Sequence, residues 1–425
     1  MLDMTTTVLL SVLLCVSVVL VSAFVEELDD SFMETKGADE IWLIKFYAPW
    51  CTFCKQLDPV WHEIGSEMRS LGSPVRVGKS DATASINLAK EFRVKNYPAI
   101  LMLKKDVKYN YSGRRSKDGI MDFANRVGGP LVRSLSSLQL FQHAMSRHDV
   151  MFVYVGATSQ LKGNYTSAAE ELIIHTYFFS ATREVLPKAV SLASLPAVVV
   201  FKDGTYFTYR EEDDGTLKAW INRERFPNFF HIDSYTLYAM GESDKLVLLA
   251  LVKERHPCKE SLRYKSLVEK VAAEQREFYS RSFQFGFMED TDYIKGLVMG
   301  EVIVPSLIVV NLSNDGYFLP PDAVETERHL LNFLNGVLDG SIASQGGNSI
   351  TQRVRRFSYD AKVTLIPLFT QAPLIGCFLV GFIFAVVAVY CYLCCKNRAT
   401  MSDDDDNDAV ATLPRCQKLS DKKSN

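Results

Sequence analysis

Two cysteines three residues apart occupy the stretch Lys45-Phe46-Tyr47-Ala48-Pro49-Trp50-Cys51-Thr52-Phe53-Cys54-Lys55, where an apolar strand pattern gives way to a helix. That spacing puts the sulfur of Cys51 at an exposed helix N-terminus and the sulfur of Cys54 one turn further in. Unpaired N–H groups and the helix dipole at such an end favour a thiolate at Cys51. Cys54 then lies within reach to form or resolve a disulfide. A Cys-x-x-Cys pair serves redox exchange or supplies half of a zinc site. A structural zinc normally takes four ligands, and no second Cys or Cys/His pair at zinc spacing follows before the apolar run that starts at Leu374; the redox use is therefore expected.

The elements that must hold this pair belong to a longer chain. Its 425 residues leave room for about three domains. A formal charge of −3, on balanced acids and bases, points to no nucleic-acid partner. Residues 1–23 carry an apolar run, Val8 to Val21, ending in the small-residue pattern Val21-Ser22-Ala23, which reads as a secretory signal peptide. Its start bears Asp3 and no Lys or Arg, so an uncleaved anchor is the alternative. Residues 374–395, Leu374 to Cys395, form an uncharged apolar run of about bilayer-crossing length and are expected to be a single transmembrane helix. The signal peptide then directs the part from Phe24 to the lumen, and residues 396–425 become a cytosolic tail. Of nine cysteines, Cys51, Cys54 and Cys258 face the lumen, so the layout is a redox pair plus one odd thiol.

Internal similarity at a period of about a hundred residues organises the lumenal part. Each copy has a proline-led strand, beginning Tyr97-Pro98-Ala99, Leu195-Pro196-Ala197 and Val304-Pro305-Ser306. An earlier strand precedes each proline, at Val75–Val77, Ile174–Phe179 and Phe283–Phe287. The first strand of each copy falls at Ile41–Tyr47, Val150–Val155 and Leu246–Val252, and helical patterns such as Leu262 to Phe278 fill the gaps. Alternating strands and helices indicate an α/β class. The corresponding loop of the second copy, Ala157-Thr158-Ser159-Gln160, has no dithiol.

Phe46 to Cys51, followed by Cys54-Lys55, with Pro59 and Tyr97-Pro98 further on, resembles the thioredoxin-like catalytic domain of protein disulfide isomerases. The resemblance implies three tandem thioredoxin-like domains, catalytic over 24–130 and redox-inactive over 131–235 and 236–345, the last with possible substrate binding. A juxtamembrane linker covers 346–373. It also implies a thiol–disulfide oxidoreductase or isomerase, without cofactor or metal, acting on unfolded or misoxidised secretory proteins. A membrane-tethered chaperone or adaptor with a weak dithiol is the alternative. By the same resemblance Pro98 is cis beside the dithiol, and Arg115 can swing towards Cys54 to lower its pKa, a solvated basic face being the alternative. Trp50 is expected to shield the site and Pro59 to kink its helix.

Two positions depart from the family. Thr52-Phe53 replace its usual Gly-His, and Phe53 can neither charge-stabilise nor hydrogen-bond a Cys51 thiolate, which predicts a more reducing, slower pair. Lys45 stands where relatives carry a proton-relaying acid. A buried Lys45 would act as a base when neutral or stabilise a Cys54 thiolate when charged; the favoured expectation is that it snorkels to water and the relay is missing.

Weaker signals complete the reading. Asn110, Asn164 and Asn311 begin glycosylation sequons. Cys258 lies roughly where the dithiol lies in the first copy and is expected to be a spectator. The Phe283–Phe287 alternation reads as a half-buried strand, with a peptide groove as the alternative. Gly340–Asn348 reads as a linker. Lys422 and Lys423 match a dilysine retrieval signal, read by coat machinery and addressing the chain to the endoplasmic reticulum membrane.

Overall fold

Ile41–Tyr47 and Val150–Val155 are nearly continuous runs of apolar and aromatic residues, the composition of strands buried on both faces. Both are strands in the computed structural model, which describes residues 24–253, 258–371, 378, 381–382 and 384–393. The first sheet is built from β1 (Glu26–Glu27), β2 (Ile41–Tyr47), β3 (Val75–Asp81), β4 (Ala99–Lys104) and β5 (Val107–Asn110). Its helices are α1 (Phe32–Thr35), α2 (Thr52–Ser70), α3 (Ile86–Glu91) and α4 (Lys117–Gly128). Strand order is β1-β3-β2-β4-β5, with β3 parallel to β1 and β2 and with β4 and β5 antiparallel. The parallel pairs require crossover helices, and α2 is one of them. Its apolar stripe (Leu57, Trp61, Ile64, Met68) packs on the sheet, where Trp61 donates from Nε1 to the Gly78 carbonyl at 3.2 Å.

The second sheet repeats this plan with β6 (Arg133–Leu135), β7 (Val150–Val155), β8 (Phe178–Ala181), β9 (Ala197–Lys202) and β10 (Thr205–Thr208). Helices α5 (Leu138–Arg147), α6 (Gln160–Leu172), α7 (Glu211–Asp214) and α8 (Leu217–Glu224) accompany it. In the third sheet β11 (Phe229–His231), β12 (Leu246–Leu251), β13 (Phe283–Met288), β14 (Ser306–Asn311) and β15 (Gly316–Phe318) take the same order, extended by β16 (Gln345–Gly346). Its helices are α9 (Ser234–Met240), α10 (Lys259–Glu274), α11 (Arg276–Tyr279), α12 (Asp292–Val298) and α13 (Glu327–Leu338). Three sheets of one order, each flanked by helices, are thioredoxin-like α/β units. The Tyr97–Pro98, Leu195–Pro196 and Val304–Pro305 bonds are all cis.

Several local expectations are corrected. The strand expected at Ile174–Phe179 starts at Phe178, because Thr176 N–H bonds the Leu172 carbonyl and closes α6 in a turn. Phe283–Met288 is buried on both faces, since β11 and β12 flank it and helices cover both sides; it lines no open groove. Gly340–Asn348 is not a free linker: Gln345 and Gly346 pair with Tyr317 and Gly316 as a sixth strand. Gly346, at φ +76°, adopts a backbone that favours glycine.

From Ser349 the chain forms a separate unit, and what was expected to be a juxtamembrane linker is helical as α14 (Ile350–Gln371). Among the described residues no helix is long and apolar enough to cross a membrane. The span expected at Leu374–Cys395 falls partly outside those residues. The signal peptide, Lys422 and Lys423 lie wholly outside them.

Candidate active site

The chain leaves β2 at Tyr47 and turns through Ala48–Cys51, where Cys51 N–H bonds the Ala48 carbonyl at 3.0 Å. Helix α2 then begins. Cys51 is its N-cap, with extended backbone (φ −77°, ψ 111°), and its Sγ accepts the Cys54 N–H at 3.2 Å. A cap position thus aims a main-chain donor at the first sulfur, a bond that strengthens when the acceptor becomes an anion. Cys51 and Cys54 are joined as a disulfide, with Cα atoms 5.3 Å apart. Pro59 lies inside α2, where it has no N–H to donate to the helix ladder.

The first sulfur was expected to be exposed, and this is corrected: Cys51 is 6 % exposed and clusters with Ala48 and Cys54 under Tyr47 and Tyr97. The cover follows from the cis-Pro98 loop, which presents Tyr97 to the cysteines. Trp50 is itself largely exposed and rests edge-on against Tyr97 at 6.0 Å. Phe53, between the cysteines, is 67 % exposed. Arg115 does not reach for Cys54 here; its Nη2 donates to the Pro98 carbonyl at 3.2 Å, on the loop opposite the disulfide.

Lys45 does not snorkel. Its side chain is fully buried and ion-paired with Asp58, which is 44 % exposed on its side chain. The ammonium lies 5.7 Å from the ring centroids of both Tyr47 and Trp61. Burial pulls the Lys45 pKa below the usual lysine value; Asp58 opposes that shift and Lys79 adds to it. Sequence reasoning missed Asp58. Its signal was an acid four residues after Cys54, hence on the same helix face one turn deeper. Around this pair, Glu27 accepts the Tyr47 hydroxyl at 2.9 Å and pairs with Lys79 at 3.5 Å. Desolvation holds the His62 imidazole below its ordinary pKa, with Lys79 and Lys45 reinforcing the effect. Around the buried Lys45 ammonium there is therefore a charged network whose other members, Asp58, Glu27 and Lys79, reach solvent.

The remaining expected residues are dispersed. Cys258 is the N-cap of α10, exposed, with Sγ 3.3 Å from Ser261 Oγ. Asn110 is the exposed last residue of β5, Asn164 is exposed on α6, and Asn311 ends β14 half-buried.

Comparison with known proteins gives two family matches, Thioredoxin over residues 22–126 and Thioredoxin-like domain over 156–336. Protein disulfide-isomerase TMX3 of Xenopus laevis is 50 % identical over 375 residues, 88 % of this chain and 83 % of that protein. Its namesake in Homo sapiens is 49 % identical over 384 residues, 89 % of this chain and 84 % of that protein. Among solved structures, human ERp44 form I covers 75 % of this chain and 86 % of its own, at 15 % identity and a TM-score of 0.36.

Proposed function

The chain belongs to the protein disulfide-isomerase family, and from that premise we propose that it is a membrane-anchored enzyme exchanging disulfides with folding secretory and membrane proteins in the endoplasmic reticulum. The activity itself, thiol–disulfide oxidoreduction of the protein disulfide-isomerase type, goes with the family. The observation that carries the site assignment is the disulfide between Cys51 and Cys54 at the α2 N-terminus, faced by cis-Pro98.

In the reductive direction the Cys51 thiolate attacks one sulfur of a client disulfide. That S–S bond breaks, and the displaced client thiolate takes a proton. Cys54, deprotonated, then attacks Cys51 Sγ, releasing the client's second sulfur as a thiolate and leaving the pair oxidised. Two electrons pass from the pair to the client, and the reverse sequence installs a disulfide. Cys54 Sγ is buried and must shed a proton during release. The Lys45–Asp58 pair beneath it, half open to water at Asp58, supplies a charged acceptor system in place of a single buried acid. With Phe53 between the cysteines no imidazole stabilises the Cys51 thiolate, so the pair is the more reducing for it.

Anchoring rests on the uncharged Leu374–Cys395 run, lumenal exposure on the leader, glycan addition on Asn110, Asn164 and Asn311, and retrieval by coat machinery on Lys422 and Lys423. A second reading, a tethered chaperone or adaptor, is favoured by a cavity of about 440 Å³ in the third unit, lined by Tyr264, Ile303, Pro305, Leu307 and Val324 among others. Alkylation trapping of Cys54→Ala in cells separates the two. Mixed disulfides with clients support the enzyme; client binding that survives loss of both cysteines, with nothing trapped, supports the adaptor.

A further inference from the structure

Beside the disulfide lies a cleft of about 400 Å³ lined by Phe53, Gln56, Leu57, Val60, Arg115 and Tyr235. The first four recur at helical spacing and make one stripe along α2. Tyr235 comes from far away in the chain, on the first turn of α9 at the start of the third unit. The cleft is thus made where the dithiol helix faces another thioredoxin-like unit.

Continuity with the reacting sulfurs comes from two residues. Phe53 lies between the cysteines in sequence and leaves two-thirds of its surface bare. Arg115 forms one wall of the cleft and at the same time holds the Pro98 carbonyl on the cis-proline loop. An extended segment that brings its sulfur to Cys51 along that loop runs directly onto the cleft. Large bare aromatic surface at a reacting face is stabilised by an apolar partner. The floor is apolar at Leu57 and Val60, and the one charge in the lining, Arg115, is already engaged on a carbonyl.

We infer that this cleft is a side-chain specificity site: it takes an apolar residue of the client, aliphatic or aromatic, next to the client's own cysteine, with Phe53 and Tyr235 closing on it from opposite sides. The inference rests on the oxidoreductase reading above and adds which disulfides are favoured. Tyr235 is a specificity-determining residue supplied by a unit that has no dithiol of its own.

The test uses the full-length protein and matched mixed-disulfide peptides that differ at one position flanking cysteine, leucine or phenylalanine against serine, with glutathione disulfide as a substrate lacking any such side chain. Half-burying one apolar side chain corresponds to about a tenfold preference in kcat/KM for the apolar peptides. Tyr235→Ala is expected to bring that ratio to within about twofold while the glutathione rate stays at the wild-type value, and Tyr235→Phe to retain the preference. Gln56→Trp, an exposed helix position that fills the cleft instead of opening it, should abolish the preference as well. A wild type indifferent to the flanking residue, or a preference untouched by both Tyr235→Ala and Gln56→Trp, overturns the specificity site alone. A wild type inert toward every disulfide, glutathione included, overturns the oxidoreductase reading on which it rests.

Discussion

The junction that bears the disulfide and the junction at the start of α10 differ by very little. In the first, Cys51 caps α2 and accepts the N–H of Cys54; in the second, Cys258 caps α10 and accepts the N–H of Ser261 at 3.4 Å. Each follows the middle strand of its sheet, and each sheet has a cis-proline at the head of the next antiparallel strand. Even the second unit keeps the device, with Ser159 capping α6 by accepting the Lys162 N–H. The cap and the proline loop thus belong to the fold. What sets the first junction apart is a second sulfur and a buried cation. The strand residue paired with the second position after each cis-proline is Lys45 opposite Ile100, Tyr154 opposite Val198, and Ala250 opposite Leu307. At that register the three copies hold an ammonium, a phenol and a methyl group, and chemistry goes with the first.

The strongest way to break the comparison is to make the first junction like the others. Cys51→Ser is expected to abolish turnover of a peptide disulfide, a loss of at least about a thousandfold; retained activity would assign the chemistry elsewhere. The converse change sharpens it. Ser261→Cys in a protein lacking Cys51 and Cys54 places a thiol where an oxygen already lies 3.3 Å from Cys258 Sγ. A disulfide should close as a mild oxidant takes two electrons, read as the mass loss of two hydrogen atoms, with slow exchange for want of a charged pair below it.

Smaller effects come from the cation. Lys45→Met removes one partner of a pair whose other member is partly wet, for a loss of about 1–3 kcal/mol in denaturant unfolding. Lys45→Glu sets a second carboxylate against Asp58 and should cost at least as much. The pH dependence has a definite sign. Lys45 is depressed in the folded protein, so between its folded pKa and the usual lysine value of 10.5 the unfolded chain binds more protons. Wild-type stability measured against Lys45→Met therefore rises with pH across that window, by at most about 1.4 kcal/mol per pH unit. A difference that stays flat or falls would mean that Lys45 is not desolvated. Least of all, Arg115→Ala removes one bond to a carbonyl, worth about 1 kcal/mol. Exchange should slow less than about fivefold, and a much larger defect confined to the Cys54 release step would show that the guanidinium reaches that sulfur during turnover.

How far the sequence was legible depended on how local the cause was. Ile41–Tyr47 and Val150–Val155 read correctly to the residue because long apolar runs need nothing but themselves. Ile174 to Thr176 read as strand on their side chains, yet the chain is still closing α6 there through the Thr176 N–H, and Arg126 of the first unit takes the carbonyls of Ile173 and Ile174. The Phe283–Phe287 alternation was real, but its full burial depended on partners remote in sequence, Phe229 of β11 and Leu248 of β12 registered on Phe285. The dithiol was legible from spacing alone. Lys45 was recognisable as odd, while its partner Asp58 and the cover from Tyr97 follow from the packing of α2 and the proline loop against β2.

Arg126 also ties two units into one piece. Its guanidinium takes the closing carbonyls of α6, pairs with Asp122, and is 8 % exposed although it sits on α4 of the unit before. A helix whose last acceptors are satisfied by a residue from the neighbouring unit frays when that neighbour is cut away. Severing the chain between α4 and β6 would strand a buried guanidinium on one fragment and bare carbonyls on the other. Heated intact, the two units should melt together, and a fragment carrying the dithiol alone should melt earlier than the same fold within the whole chain.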